Sequence, residues 1–134
     1  MTLTPFPRFN RALGTCMLAL AASASFAGEI IPVSMQAYQQ AAAQGKPVVF
    51  HVAASWCPVC AKQNPVVEEL MSQPEFKDYV VMKVDFDKDK RALEMLKVAQ
   101  QSTFVVNKGG AEVARSTGTT DKAEIRELLL KASK

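Results

Sequence analysis

The sequence predicts one α/β domain, a mixed β-sheet with helices on both faces, in the order β-α-β-α-β-α-β-β-α. Three observations carry that reading. Val48–Ala53 and Val80–Phe86 are almost continuously apolar, as strands covered on both faces are. Apolar residues between and after these runs recur at helical spacing. Asn107-Lys108-Gly109-Gly110 separates Thr103–Val106 from Glu112–Arg115, a turn signal that joins them as an antiparallel hairpin. At 134 residues the chain has the length of one domain, and no repeat or low-complexity stretch divides it.

The first 27 residues read as a secretory signal. Arg8 and Arg11 supply its charge, Ala12–Ala24 its apolar run, and Ser25-Phe26-Ala27 a small-x-small cleavage site, with Ala22-Ser23-Ala24 as the competitor. A run of about 13 residues falls short of the roughly 20 that span a bilayer. We therefore expect cleavage after Ala27, no membrane anchor afterwards, and a domain over 28–134. The leader suits export to a bacterial periplasm, where thiols can oxidise. Cys16 lies inside the apolar run and is expected to leave with it, so two cysteines stay in the domain.

Within the domain, Ile30–Val33 is an edge strand, because Pro32 cannot donate to a ladder. Ser34 caps a helix through Met35–Gln44 that Gly45 ends. After the central strand at 48–53, Pro58 suits the first turn of a helix reaching Met71, with a kink expected at Pro65. Asp87 is placed to cap a short helix carrying Leu93 and Leu96. Asp121 and Glu124 form a capping-box-like start for the last helix, whose stripe is Ile125, Leu128 and Leu129.

Charge excludes some functions. Lys+Arg number 16 and Asp+Glu 13, and Arg8 and Arg11 account for two of the three excess positives. The near-neutral domain has no electrostatic footprint for nucleic acid.

The chemistry concentrates at Trp56-Cys57-Pro58-Val59-Cys60, where the central strand meets its helix. Cysteines three apart in a first helical turn share a face and can close a disulfide. Cys57, at the helix N-terminus, meets unpaired N–H groups that favour its thiolate; Cys60, one turn in, is expected to be the more buried. A thiol of ordinary pKa is only about 3% ionised at pH 7, whereas one lowered to about 7 is half ionised. Two other readings stand beside redox chemistry. Zinc needs two more ligands, and the chain has a single histidine, His51. A purely structural bridge over so short a loop constrains little of the unfolded chain.

At these residues the sequence resembles the thioredoxin superfamily over nearly all of the domain. The W-C-x-x-C motif, Pro65, the Gly109-Gly110 hairpin and Gly118 before the last helix carry the likeness. It implies a thioredoxin fold and thiol–disulfide oxidoreductase activity, with Cys57 as nucleophile and Cys60 as resolving thiol. No organic cofactor or metal is implied, since the electrons reside in the two sulfurs. Protein thiols and disulfides would be the partners, docked beside Trp56, Pro58, Val59, Ser102 and Thr103. A reducing role would draw electrons from a DsbD-like membrane protein, and the domain is expected to be a monomer. The alternative is a module that binds a metal or client protein through the two thiols.

The sequence departs from that family at three places. Ser102, in Gln101-Ser102-Thr103, stands where the family has a cis-proline. A cis bond before a non-proline costs about 3–4 kcal/mol, so the bond is either trans, with a reshaped groove, or cis and strained. His51 stands six residues before the nucleophile, where the family has a buried acid that relays the resolving thiol's proton. An imidazole of pKa about 6.5 can accept a proton near neutrality, although a histidine in an apolar strand can equally be a core residue. Lys83 would then lack an anionic partner. Pro58-Val59 is neither Gly-Pro nor Pro-His and leaves the direction of electron flow open.

Overall fold

The computed structural model describes residues 27–134, so the leader expected at 1–27 lies outside the described residues except for Ala27. Its elements follow the predicted order: β1 (Glu29–Pro32), α1 (Met35–Ala43), β2 (Val48–Ala53), α2 (Pro58–Met71), β3 (Val80–Asp85), α3 (Lys90–Leu96), β4 (Thr103–Lys108), β5 (Ala111–Thr117) and α4 (Lys122–Leu130). Short 3-10 turns at Pro74–Phe76 and Lys131–Ser133 complete it. No helix among the described residues is long and apolar enough to cross a membrane.

The five strands lie in the order β1-β3-β2-β4-β5. β3 runs parallel to both β1 and β2, whereas β4 is antiparallel to β2 and to β5. The unbroken apolar runs become the two inner strands β2 and β3, as continuous burial requires, and proline-bearing β1 takes an edge. The period-2 alternation of β2 divides the core. Val49 joins α2 and α4 side chains, including Val67, Leu70, Ile125 and Leu129, on one face. Val48, Phe50 and Val52 meet α1 and α3 on the other. His51 belongs to the first face.

Local signals act as expected at most junctions. Ser34 Oγ accepts from the Ala37 N–H at 3.3 Å, and Asp121 Oδ1 from the Glu124 N–H at 3.0 Å. Gly109 and Gly110, both at positive φ (58° and 80°), form the two-residue loop of the β4–β5 hairpin, a conformation that glycine adopts without Cβ strain. Pro65 sits within α2, which runs on past it to Met71.

Asp87 does not cap α3. That helix starts three residues later, with Asp89 at the cap position and no capping bond from its side chain. Two neighbouring carboxylates build the turn before it. Asp85 Oδ1 accepts the N–H groups of Asp87 and Lys88, and Asp89 Oδ2 accepts that of Asp85 at 2.7 Å. Asp87 is thereby left free to face the dithiol loop.

Candidate active site

The site forms where β2 ends. Its last residue, Ala53, leads through a tight turn into α2, and Cys57 is the N-cap of that helix. Pro58 follows at the first helical position, where its missing N–H costs nothing. Cys57 and Cys60 are joined as a disulfide with Cα atoms 5.3 Å apart. The Cys60 N–H donates to Cys57 Sγ at 3.1 Å, so this sulfur occupies the place of a capping oxygen and receives a first-turn amide.

The expected contrast in burial between the two cysteines is small. Cys57 is 3% exposed and Cys60 1%, because Ala53, Ala54, Val59 and Phe86 close around both. Little of the outer cysteine reaches solvent in the disulfide form. A hollow of about 720 Å³, bordered by Tyr38, Phe50, Met95 and Asn107, lies against the α1–α3 face and includes none of the site residues.

Trp56 stands at the rim, 56% exposed. Its indole N–H donates to Asp87 Oδ2 at 2.8 Å, and its ring meets Phe86 edge-on, 6.4 Å between centroids. Asp87 is thus a site residue that the sequence reading assigned elsewhere. An aspartate before a helix gives the same signal whether it caps that helix or reaches across to an indole. Pro58 is exposed and Val59 half-buried, which completes the accessible rim.

Ser102 and Thr103 lie at the same end of the sheet, since Thr103 pairs with Val52, next to the last residue of β2. Among the described residues every peptide bond is trans, that of Ser102 included. Of the two geometries open at this position, the structure takes trans, and Ser102 adopts a left-handed conformation with φ 56°. Both residues are buried. The Ser102 hydroxyl donates to the Gln101 carbonyl, and that of Thr103 to the Gln100 carbonyl, with Thr117 Oγ1 2.9 Å away. Their side chains build the loop instead of offering a surface, so the exposed part of the expected docking site reduces to Trp56, Pro58 and Val59.

His51 has no exposed surface. It stacks on Phe104, 4.5 Å between centroids, and its Nε2 lies 3.0 Å from Gln63 Oε1. Burial lowers its pKa to about 4; the bond to Gln63 opposes that shift, and the positive charge of Lys83, in register on β3, adds to it. The expectation of a base with an ordinary pKa near neutrality is thereby revised. At pH 7 the ring is neutral, because desolvation penalises the imidazolium. Gln63, which the sequence reading passed over, sits one turn beyond Cys60 on the same buried face of α2.

Among the described residues no three His, Cys, Asp or Glu side chains are grouped to hold a metal ion.

Comparison with known proteins follows the same lines. The thioredoxin family profile matches residues 29–131. The thioredoxin of Chlamydia trachomatis is 33% identical over 99 residues, covering 74% of this chain and 94% of its own length. Thioredoxin H2-1 of Oryza sativa is 36% identical over 84 residues, 63% of this chain and 59% of its own. Among solved structures, Trxlp of Edwardsiella tarda is 42% identical with a TM-score of 0.73, covering 75% of this chain and 98% of that one.

Proposed function

The chain belongs to the thioredoxin family of thiol–disulfide oxidoreductases, and we propose that it works after export, in a periplasm, on the thiols and disulfides of exported proteins. Family membership supports the reaction class and the partners as protein thiols and disulfides. The charged, apolar, small-x-small order of residues 1–27 supports the export. Gly28 fits a domain that keeps its packing after cleavage at Ala27: its N–H donates to the Met71 carbonyl at 2.8 Å, and a Cβ there would stand 2.6 Å from the Phe76 carbonyl oxygen.

The observation that carries the mechanism is Cys57 Sγ at the cap of α2, accepting the Cys60 N–H. In the reduced protein that hydrogen bond and the helix N-terminus stabilise the Cys57 thiolate. The thiolate attacks a substrate disulfide, forming a mixed disulfide and releasing one substrate thiolate, which takes a proton from solvent. Cys60 then loses its proton and attacks Cys57 Sγ. The second substrate thiol leaves, and the Cys57–Cys60 disulfide forms. Two electrons pass to the substrate, and the reverse sequence oxidises a substrate dithiol. His51, whose neutral ring meets Gln63 one turn beyond Cys60, is the acceptor assigned to the Cys60 proton; with a pKa lowered to about 4 it passes that proton on and does not hold it. Trp56, Pro58 and Val59 form the rim against which a substrate chain docks. A reducing role in this compartment draws on a membrane electron donor of DsbD type.

The test is turnover of insulin disulfides with dithiothreitol as electron source. Cys57→Ser is expected to abolish turnover, and Cys60→Ser to accumulate a mixed disulfide, seen by mass spectrometry. Full activity in Cys57→Ser, or stoichiometric metal in the isolated protein without any turnover, overturns the reading in favour of a binding module.

A further inference from the structure

Gln63 occupies a position where α2 turns its apolar side to the sheet, yet it is an amide with no exposed surface. Every hydrogen-bonding group of its side chain is engaged across elements. Its Nε2 donates to the Ser102 carbonyl at 3.1 Å and to the Thr119 carbonyl at 2.8 Å, while its Oε1 faces His51 Nε2. The two carbonyls decide which way the amide points, since neither can face an oxygen. Oε1 therefore faces the histidine as an acceptor, and neutral His51 must carry its hydrogen on Nε2. The lone pair is then on Nδ1, which is buried and has no partner.

The same amide holds a loop in an unfavourable conformation. Ser102 has φ 56°, a region that L-residues occupy only when the surroundings enforce it. Its carbonyl is gripped twice, by Gln63 Nε2 and by the Gly118 N–H at 2.9 Å. One side chain on the helix of the dithiol thus ties together the start of β4 and the segment after β5.

We propose that Gln63 is a positioning residue of the disulfide exchange: its amide fixes His51 as the Nε2–H tautomer with a bare Nδ1, and it clamps the loops of Ser102 and Thr119 at the dithiol end of the sheet. The tautomer half rests on the reading of His51 as acceptor of the Cys60 proton. The clamp half depends only on the loop's geometry.

His51 is the single histidine of the chain, so nitrogen NMR of the untagged protein reads one ring. In the wild type at pH 7 we expect a protonated Nε2 and an unprotonated Nδ1. Gln63→Leu should mix the two tautomers and lower kcat/KM for insulin disulfides about tenfold. Exchange with oxidised glutathione needs the same Cys60 deprotonation and should slow to a similar extent, while amide exchange at Gly118, whose N–H shares the Ser102 carbonyl, should quicken as the clamp is lost. Gln63→Glu loses both donated bonds and sets a carboxylate against the ring, so it should draw a second proton onto His51 and move its titration up toward neutrality.

A wild-type ring protonated at Nδ1 overturns the proposal, whether or not any variant folds. So does Gln63→Leu slowing neither substrate, or leaving the Gly118 exchange unchanged. A protein that turns over no disulfide overturns the oxidoreductase reading instead, and the tautomer, read without substrate, still decides for or against the lock on His51.

Discussion

At the scale of single residues, His51 couples the site to pH. Its pKa is lowered from 6.5 to about 4, so the unfolded chain binds a proton at a pH where the native chain does not. Stability is then complete above about pH 6.5 and is lost progressively as pH falls toward 4. Below that both states are protonated and the slope vanishes. The shift corresponds to a loss on the order of 3 kcal/mol. Urea unfolding followed by Trp56 fluorescence should show it, with the loss between pH 6.5 and 4 much smaller in His51→Phe. Equal slopes in both proteins would mean that the ring is protonated in the fold. The sequence placed this histidine in an apolar strand before the dithiol. It could not supply the proton affinity, because desolvation depends on Phe104 and on the helix above, which meet β2 only in the folded chain. Gln63 was illegible for a related reason. A glutamine on a helix reads as solvent-facing until its partners, 39 and 56 residues further along the chain, are brought to it.

At the scale of elements, strand and helix order was legible because each piece carries its own signal: unbroken apolar runs for β2 and β3, Ser34 and Asp121 as caps, Gly109-Gly110 as a hairpin turn. The loop before β4 was not. With serine in place of a proline the trans bond is the local default, but the positive φ is held by long-range bonds from Gln63 and Gly118. That conformation gives a direct prediction. A non-glycine residue in the left-handed region costs about 1–2 kcal/mol, against about 0.5–1 kcal/mol of extra chain entropy for glycine. Ser102→Gly should therefore stabilise the domain by up to about 1 kcal/mol in urea unfolding. Ser102→Pro imposes φ near −65° where 56° is required, so it should destabilise by more than about 1 kcal/mol. A proline variant as stable as the wild type would show that this loop can be rebuilt around the opposite φ.

For the whole molecule the decisive quantity is the free energy of holding two electrons as a dithiol, which sets the direction of exchange. No Asp or Glu is buried among the described residues; the buried polar side chains include His51 and Gln63 in the layer beneath α2. Lys83, in register with His51, is the charge nearest that ring in the strand pairing. Nothing anionic in that buried layer opposes a thiolate; the Asp87 carboxylate stands outside it, at the rim and bonded to the Trp56 indole, while Cys57 keeps its capping hydrogen bond and the helix N-terminus in its favour. Stabilising the thiolate stabilises the reduced state, which makes the disulfide the stronger oxidant. Equilibration with glutathione is therefore expected to place the protein above the thioredoxin value of about −270 mV, toward the −120 mV of DsbA. His51→Asp would install a carboxylate in that layer and disfavour the thiolate. The potential should then fall by about 30 mV for each 1.4 kcal/mol of thiolate stabilisation removed, with Lys83 absorbing part of the new charge. Identical potentials for wild type and His51→Asp would remove the buried layer from control of the dithiol. A wild-type value at or below −270 mV would make the chain a reductant, dependent in an exported compartment on electrons delivered through the membrane.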